Sequence, residues 1–392
     1  MIGPADAVVL GSSPTGLYAI REIAGAGLKV ALADISKGCA FESRHVRQVS
    51  QSFVGTLEDL ETWLIERPAT DVLPVLIPTS DFFIEFVMRR FGTLSRTWGL
   101  AGSYAGIAER LLDKASFHAL CAEHDVATPG VWLAHDRTSL SELVDTVPYP
   151  CILKPALIHR AKKFLRGKKV LIAKSADEYA QHLAAIPKDG GSWLVQEIIP
   201  GPESEISLFG GYIDSNHEPQ QAFTGRKLRQ YPAGFGSASL VTSKSCNETL
   251  DLSLSFLRAI GFQGVCGTEY KRDPRDGRLK IIEINPRPTL WFQATHDAGK
   301  RIVEAAVRDL QSGARITDCE QREDVRWRYG LKDIASGHFY SRHKGDFIFP
   351  PPDTSGACTG LKRSWAVYSP DDPLPALSEP FGYLRKAWSR YS

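Results

Sequence analysis

The chain has no long hydrophobic run, no basic leader segment and no excess of charge of one sign. None of its stretches approaches the roughly 18 apolar residues that a membrane-spanning helix needs. The apolar run from Ala7 to Leu10 is too short for an export signal and fits a first strand instead. A net charge of +2 argues neither for nor against a polyanionic partner. Neither a membrane protein nor an exported one is therefore expected.

The cysteines are few, and no two of them have the spacing of a known motif. The chain has 7 of them, scattered without any C-x-x-C pair. An odd, scattered set is more typical of a reducing cytoplasm than of a disulfide framework, and it does not favour a structural zinc site. We therefore expect a cytoplasmic protein.

What is present predicts a chain of two or three domains, since 392 residues with 43% hydrophobic and 23% charged residues can bury an ample core. In residues 1–110 the short apolar runs "DAVVLG", "KVALAD" and "VLPVLIP" are separated by helical patterns. This alternation is typical of a parallel sheet with right-handed crossovers. We predict a small, doubly wound α/β domain there.

From residue 111 onward the pattern changes to helices mixed with antiparallel strands, which predicts α+β lobes. We divide this part into a small lobe at 111–198 and a large lobe at 199–317. Residues 318–392 are rich in proline and aromatic residues. We expect them to form a small C-terminal appendage.

The stretch "KIIEINPRPTL", from Lys280 to Leu290, places polar residues in an apolar strand. The preceding strand, "GVCGTEYKRD", is joined to it by "PRDGR", which has turn chemistry. If those five residues form the loop, Asp273 pairs with Leu279 and Glu269 lies opposite Glu283. Asn285 then follows on the same face.

Opposed carboxylates repel each other unless positive charge lies between them. Glu269 and Glu283 with the amide oxygen of Asn285 suit a hard cation, and Mg²⁺ held by few carboxylates plus substrate phosphates is a common arrangement. Arg287 is restricted by a proline on each side and could stabilise charge on an oxyanion. A solvated hairpin and a surface ion pair for Arg287 are the simpler alternatives.

The pattern of Glu269, thirteen residues and then "EINPR" resembles the metal-binding pair of the ATP-grasp superfamily, as in carbamoyl phosphate synthetase and amide-forming ligases. The resemblance covers roughly residues 6 to 312. It implies the ATP-grasp fold, with ATP and Mg²⁺, or Mn²⁺, as cofactors. It also implies that Glu269, Glu283 and Asn285 are the metal ligands.

The resemblance also implies a set of nucleotide contacts. Lys114 and Lys154 are similar to the two lysines that hold the nucleotide phosphates, and a lysine inside the strand "CILKP" is costly unless it meets an anion. In "LVQEIIPGPESE", Glu197 and the backbone of Ile199 would meet the adenine amino edge. Glu203 would bind the ribose.

Two of these assignments are open. Glu205 competes with Glu203 for the ribose. Where many family members have a glycine-rich loop, this chain has "ALIHRAKKFLRGKKVLIAK". Its seven basic residues are Arg160, Lys162, Lys163, Arg166, Lys168, Lys169 and Lys174. A solvated connection is the simplest interpretation, and neutralisation of phosphates is an alternative. Nucleic acid is not expected as a partner, because no aromatic residues interleave with these charges.

The segment "TGRKLRQYPAGFGSASLV", Thr224 to Val241, resembles D-aspartate ligase and related carboxylate-amine ligases. That resemblance implies that Arg226, Lys227 and Arg229 face the reacting carboxylate or the γ-phosphate. It implies an ATP-dependent ligase that activates a small-molecule carboxylate as an acyl phosphate and joins it to an amine, with Arg287 contacting the oxyanion.

Three other functions are kept as alternatives. The first is a kinase or an enzyme that releases an acyl phosphate from the same site. The second is an NAD(P)-binding oxidoreductase, since Gly11, Gly16 and Asp34 mimic a dinucleotide-binding turn, although the middle glycine is missing. The third is nucleic-acid binding through the basic loop. A homodimer is also considered, with the C-terminal segment either in that contact or in the acceptor site.

Overall fold

The computed structural model describes residues 5–47, 52–66, 70–155, 170–187, 191–343, 347–355 and 362–380. Within these ranges the strands form three sheets, two with four strands and one with seven. None of the helices in the described ranges is long and apolar enough to cross a membrane. Of the basic residues in the predicted loop, only Lys174 lies within the described ranges.

The first sheet is parallel throughout, in the order β3-β2-β1-β4. Its strands are β1 (Ala7–Leu10), β2 (Val30–Asp34), β3 (Phe53–Val54) and β4 (Val75–Pro78). The helices that accompany it are α1 (Pro14–Gly25), α2 (Arg44–Arg47), α3 (Leu57–Ile65), α4 (Asp81–Arg89), α5 (Phe91–Leu94) and α6 (Ile107–Leu112). Short 3₁₀ turns occur at Cys39–Glu42 and Gly102–Ala105.

Both faces of this sheet are buried, because successive side chains point to opposite sides of a strand. Val9 enters a core that contains Leu17 of α1, whereas Val8 enters a second core with Leu60 of α3 and Phe83 of α4. Helices therefore cover the sheet on both sides. The predicted doubly wound parallel sheet is confirmed.

The second sheet is antiparallel, in the order β5-β8-β6-β7. Its strands are β5 (Val131–Ala134), β6 (Cys151–Pro155), β7 (Leu171–Ala173) and β8 (Trp193–Glu197). Helix α7 (Lys114–Glu123) precedes this sheet in the chain, α8 (Arg137–Glu142) lies between β5 and β6, and α9 (Ala176–Ala185) lies between β7 and β8. Leu153 points into the core of this lobe beside Tyr179, so its neighbour Lys154 points to the opposite face.

The third sheet has the order β13-β12-β9-β10-β11-β14-β15. Its strands are β9 (Ile206–Ile213), β10 (Pro219–Tyr231), β11 (Ser237–Ser243), β12 (Gly264–Arg272), β13 (Leu279–Asn285), β14 (Val325–Arg328) and β15 (Lys362–Trp365). The remaining helices are α10 (Asn247–Ala259), α11 (Gln293–Asp297), α12 (Ile302–Ser312) and α13 (Gly330–Arg342). A 3₁₀ turn at Glu203–Glu205 precedes β9.

The segment expected as an appendage is part of this third sheet. Strand β14 pairs with β11, and β15 pairs with β14. Helix α7, which the sequence assigned to the small lobe, buries Phe117 and Leu120 beside Phe209 of the large sheet. Its packing is thus with the large lobe. The boundaries of the four segments remain predictions.

A buried carboxylate joins the first domain to the large lobe. Glu22 of α1 accepts hydrogen bonds from the backbone N–H of Val303 (2.6 Å) and of Glu304 (3.0 Å), and from the Tyr18 hydroxyl (2.9 Å). Arg301, the residue before α12, makes no side-chain cap. Glu22 therefore caps α12 from another domain, which fixes the first domain against the large lobe.

Replacement of Glu22 by alanine should lower the free energy of unfolding by about 3 kcal/mol, because it leaves buried N–H donors without an acceptor. Urea denaturation measures this loss. The matched control is Glu109→Ala, which changes an exposed glutamate and should have little effect. Equal stability of the two variants would show that Glu22 does not hold the domains together.

Candidate active site

Strands β12 and β13 place the two acidic side chains directly opposite each other. Glu269 pairs with Glu283 in the observed register, as predicted. The predicted loop was wrong, however, because Leu279 pairs with Arg272 and not with Asp273. A register shift between Glu269 and Tyr270 compensates for this difference of one residue.

These acidic residues line a cavity of about 910 Å³ together with Asn285 and Arg287. The other sides of the cavity come from residues 236–238 and 289–291 of the large lobe, from the first domain and from the C-terminal segment. The first domain contributes residues 12–15, 34, 36–39, 42 and 79–81. The C-terminal segment contributes Tyr329, Lys332, Ser378 and Glu379. The cavity thus lies where three separate parts of the chain meet.

Glu269 is compensated by a buried lysine. Lys227, whose side chain is 3% exposed, forms an ion pair with the Glu269 carboxylate. Its ammonium also donates to the Gln230 side-chain oxygen at 3.3 Å. Burial raises the pKa of Glu269, and the nearby Glu283 adds to this effect, while Lys227 opposes it. Removing Lys227 would leave a buried, uncompensated carboxylate.

Glu283 is surrounded by cations. The Lys114 ammonium lies 3.6 Å from its carboxylate. Desolvation acts to raise the pKa of Glu283, but Lys114, Lys227, Arg287 and Lys154 outweigh it and hold this pKa below its usual value. The excess of positive charge around the acid pair favours an anionic ligand.

Lys154 is one of those cations and is itself poorly solvated. Its ammonium donates to the Gln196 side-chain oxygen at 2.7 Å. Burial, followed by the charge of Lys114, lowers the pKa of Lys154 to about 8, although Glu283 opposes this shift. An anion that binds next to a desolvated ammonium of this kind stabilises its charge.

Arg287 is held in place by both the hairpin and the first domain. Its Nε donates to Asp81 of α4 at 2.7 Å, and its Nη2 donates to the Asn285 side-chain oxygen at 2.9 Å. A third bond goes from Nη1 to the Pro288 carbonyl at 3.2 Å. A guanidinium has five N–H donors. Two donors of Arg287 therefore remain for a ligand in the cavity.

The two residues expected at the adenine edge have partners within the chain. The Glu197 carboxylate accepts from the Gly130 N–H at 2.9 Å and lies 2.5 Å from Arg275. The Ile199 carbonyl accepts from Lys271 at 2.9 Å. Neither residue lines the 910 Å³ cavity. Their roles in nucleotide binding remain predictions.

Glu203, the residue expected at the ribose, has hydrogen-bond partners within the chain. Its side chain is buried and accepts from the backbone N–H groups of Gln230 (3.0 Å) and Gly234. Burial raises the pKa of Glu203. The residue holds the loop after β10, and its role at the ribose stays a prediction. Glu205, the competing choice, is exposed and lies 3.3 Å from Arg226.

Only one of the three basic residues predicted on β10 reaches the acid pair. Arg229 binds both carboxylate oxygens of Asp333 on α13 at 2.8 Å, so its guanidinium is held away from Glu269. Arg226 pairs with Glu205 at the surface. Lys227 points to the face opposite Arg226, as alternation along a strand requires, and a register shift between Lys227 and Arg229 interrupts that alternation. The roles of Arg226 and Arg229 at the reacting groups stay predictions.

The sequence did not indicate Asp81 or the C-terminal lining residues Tyr329, Lys332 and Glu379. They come from three separate segments and form no local motif, so only the tertiary fold brings them to the cavity. The first-domain contact to Arg287 could have been suspected from its strand-to-helix loops, because ligands often bind at the carboxyl ends of parallel strands.

The residues present fit a metal ion that takes part of its coordination from another molecule. Among the described residues, no group of three or more His, Cys, Asp and Glu side chains could hold a metal on its own. Glu269, Glu283 and the Asn285 oxygen provide three hard donors on one face of the hairpin. Such a partial set suits Mg²⁺ completed by a phosphorylated ligand better than a protein-only site.

The pKa of Lys154 should be measurable as about 8 by NMR of ¹³C-methylated lysines. Lys114→Met should raise this pKa, because removal of a neighbouring positive charge favours the protonated form. Since the folded-state value is depressed, the contribution of Lys154 to stability should increase as the pH rises from about 8 towards the usual lysine value of about 10.4.

The matched control is Lys29→Met, which removes an exposed lysine of the first domain. It should leave the Lys154 titration unchanged. An ordinary lysine pKa of about 10.4 for Lys154 in the unmodified sequence would contradict the desolvated environment described above.

The sequence of the chain is similar to the sequences of a known ligase and of a known synthase. No protein-family model matches the chain. It is 27% identical over 222 residues to D-aspartate ligase of Enterococcus faecium (strain Aus0004). The aligned region covers 54% of this chain and 53% of that protein. It is 23% identical over 307 residues to the carbamoyl phosphate synthase large chain of Myxococcus xanthus (strain DK1622), covering 71% of the chain and 27% of that protein. The chain thus spans about half the length of the first relative and a smaller part of the second.

Solved structures resemble the chain over most of its length. The biotin carboxylase domain dimer of Hydrogenobacter thermophilus 2-oxoglutarate carboxylase, in complex with MgADP, ADP and bicarbonate, gives a TM-score of 0.61 at 14% identity, covering 82% of this chain and 73% of that one. An ADP complex of N5-carboxyaminoimidazole ribonucleotide synthetase gives 0.59 at 14% identity, covering 79% and 77%. At such low identity these likenesses establish the fold alone.

Both kinds of comparison agree with the pattern formed by Glu269 and "EINPR". The chain has the ATP-grasp fold, and its similarity to D-aspartate ligase and to the carbamoyl phosphate synthase large chain, which the residues predicted, is confirmed.

Proposed function

We propose that the chain is an ATP-dependent, ADP-forming ligase that activates a substrate carboxylate as an acyl phosphate and joins it to an amine. The observation that carries this proposal is the acid pair Glu269 and Glu283, which lines a large cavity beside Asn285 and Arg287. The similarity to D-aspartate ligase supports it, as does the presence of ADP in the two structural neighbours.

The nucleotide and metal sites are proposed at the same hairpin. Glu269, Glu283 and Asn285 would hold Mg²⁺, or Mn²⁺, which when bound supplies positive charge next to the transferred phosphoryl group. Lys114 and Lys154 would neutralise the phosphates, because the positive charges of both side chains act on Glu283 and so lower its pKa. Lys227 balances the charge of Glu269 throughout.

The second substrate is proposed to bind in the 910 Å³ cavity. Its carboxylate oxygen attacks the γ-phosphorus of ATP and ADP leaves; the amine then attacks the acyl carbon and phosphate leaves. The two remaining N–H groups of Arg287 would stabilise the oxyanion of the tetrahedral intermediate. Asp81 orients that guanidinium, so the first domain takes part in positioning.

The oxidoreductase alternative is less well supported by the first domain. The Asp34 carboxylate accepts from the Ser12 N–H (2.6 Å), the Ser12 hydroxyl (2.5 Å) and the Ile35 N–H (2.7 Å). Both of its oxygens are thus occupied within the chain, whereas a dinucleotide-binding turn uses this acid for the ribose. The nucleic-acid alternative concerns a loop of which residues 156–169 lie outside the described ranges.

The proposed function is tested by measuring ADP release from ATP. Small carboxylates are supplied one at a time, each with and without a mixture of amines. A ligase should release ADP only when both a suitable carboxylate and an amine are present, or with hydroxylamine as the amine. A hydroxamate product separates an acyl phosphate from a phosphorylated hydroxyl, since only the activated acyl group yields it. ADP release with alcohols and no hydroxamate would favour the kinase; NAD(P)H binding seen by fluorescence would favour the oxidoreductase.

Replacement of Arg287 by alanine should raise the barrier of the chemical step by about 2 to 4 kcal/mol and leave ATP binding largely intact. This corresponds to a fall in kcat of roughly 30- to 1000-fold. The matched control is Arg278→Ala, on the turn of the same hairpin and outside the cavity. A steady-state kcat for Arg287→Ala equal to that of the control would remove Arg287 from the mechanism.

Replacement of Glu283 by glutamine should weaken Mn²⁺ binding in the presence of ADP by at least about tenfold, because a charged ligand is lost. Titration followed by electron paramagnetic resonance measures free Mn²⁺ directly. Glu248→Gln, which changes an exposed glutamate on α10, is the control. Unchanged Mn²⁺ affinity of the Glu283 variant would place the metal elsewhere.

A further inference from the structure

Residues 366–380, here called the wall segment, form one side of the cavity. The segment starts where β15 ends, and the Ala366 N–H donates to the Arg328 carbonyl of β14 at 3.0 Å. Near its other end, Ser378 and Glu379 line the cavity. The wall segment therefore runs from the end of β15 in the large sheet to the cavity, where Ser378 and Glu379 form part of the lining.

A buried carboxylate, Asp372, helps to attach the wall segment to the first domain. Asp372 is 2% exposed, and it accepts from Arg21 Nε at 3.0 Å, from the Ser43 hydroxyl at 2.8 Å and from the Arg44 N–H at 2.9 Å. A further bond joins Arg21 Nη2 to the Asp372 carbonyl at 2.8 Å. Charge-assisted bonds of this kind are stronger than neutral ones. All the partners of the Asp372 carboxylate named here belong to the first domain.

This attachment lies next to the cavity itself. Ser43 and Arg44 directly follow the turn Cys39–Glu42, and both Cys39 and Glu42 line the cavity. Loss of the Asp372 bonds would therefore release the wall segment beside the cavity lining. The sequence left this C-terminal region open between a dimer contact and the acceptor site, and the bonds of Asp372 favour the second.

Glu379 of the wall segment lines the cavity next to Tyr329 and Lys332, which lie earlier in the C-terminal segment. The Tyr329 hydroxyl donates to the Glu379 carboxylate, which orients that side chain. The Lys332 ammonium lies 4.0 Å from the centre of the Tyr329 ring. A carboxylate only accepts hydrogen bonds, so its complement on a ligand is an ammonium, amide or hydroxyl group.

We propose that the wall segment determines which second substrate the cavity accepts, with Glu379 as a specificity residue and Asp372 as its positioning residue. The inference rests on the proposed ligase function for the identity of that substrate. The acid pair and Arg287 act on the reacting groups, and the wall segment meets the remainder of the molecule. The accepted substrate is polar, with a hydrogen-bond donor or cationic group opposite Glu379.

The first test needs no substrate and uses Cys39 as a reporter. Asp372→Ala should speed alkylation of Cys39 by N-ethylmaleimide at least about tenfold, measured by mass spectrometry of its peptide, because the opened wall exposes the half-buried thiol. The exposed Cys319 provides an internal reference in the same samples. Ser43→Ala removes one bond only and should give a smaller increase; it serves as the test variant if Asp372→Ala does not fold.

The matched control is Asp371→Asn, an exposed neighbour on the same segment. It should leave the Cys39 rate unchanged. Equal Cys39 rates in the two aspartate variants and in Ser43→Ala would overturn the proposal that Asp372 holds the wall in place.

The second test separates substrate specificity from a structural role. Glu379→Gln keeps an acceptor for Tyr329 and removes the charge, so it should raise the KM of the carboxylate substrate found in the ADP-release screen by about tenfold. The KM for ATP and the melting temperature should not change. A rise in the KM for ATP alone, or no change in any KM, would overturn the specificity role.

The two tests distinguish this inference from the proposed function. If no carboxylate and amine pair gives ADP with the unmodified chain, the ligase proposal fails, and with it the assignment of Glu379 to a ligase substrate. The Cys39 rates still decide whether Asp372 closes the cavity. If turnover is found and Glu379→Gln behaves like Asp371→Asn, only the specificity role fails.

Discussion

Two carboxylates that face each other across an antiparallel pair are the constraint on which the site depends. The register that packs the apolar side of β13 also places Glu269 opposite Glu283, and like charges at that distance are destabilising on their own. The cations that the fold gathers there are Lys114, Lys154, Lys227 and Arg287. These outnumber the acids. The site therefore favours a ligand that contributes negative charge, as a metal-bound polyphosphate does.

The same site depends on contacts between segments that are distant in the chain. Glu22 caps a helix of the large lobe and fixes the first domain, Asp81 orients Arg287, and Asp372 holds the C-terminal segment. Each is a carboxylate with specific partners, so each contact is directional as well as favourable. Together they form a cavity beside the acid pair, and the chemistry proposed for the hairpin gains a defined space for its substrate.

Local features of the site could be predicted from the sequence, whereas contacts between segments could not. The hairpin motif gave the correct opposition of Glu269 and Glu283 even though the loop was one residue longer than expected, because a bulge compensated. Sequence spacing could not show that the Glu203 carboxylate accepts hydrogen bonds from backbone N–H groups, or that Arg229 pairs with Asp333. The parallel sheet was predictable from alternating strands and helices, but β14 and β15 are too short to show which sheet they join.

The most direct test of the central claim is a crystal structure of the chain with MgADP. We expect the metal within about 2.1 Å of oxygens from Glu269 and Glu283, bridged to the nucleotide phosphates, with Lys227 still beside Glu269. A nucleotide bound away from this hairpin, or a metal held by other side chains while the two carboxylates contact only lysines, would contradict the account.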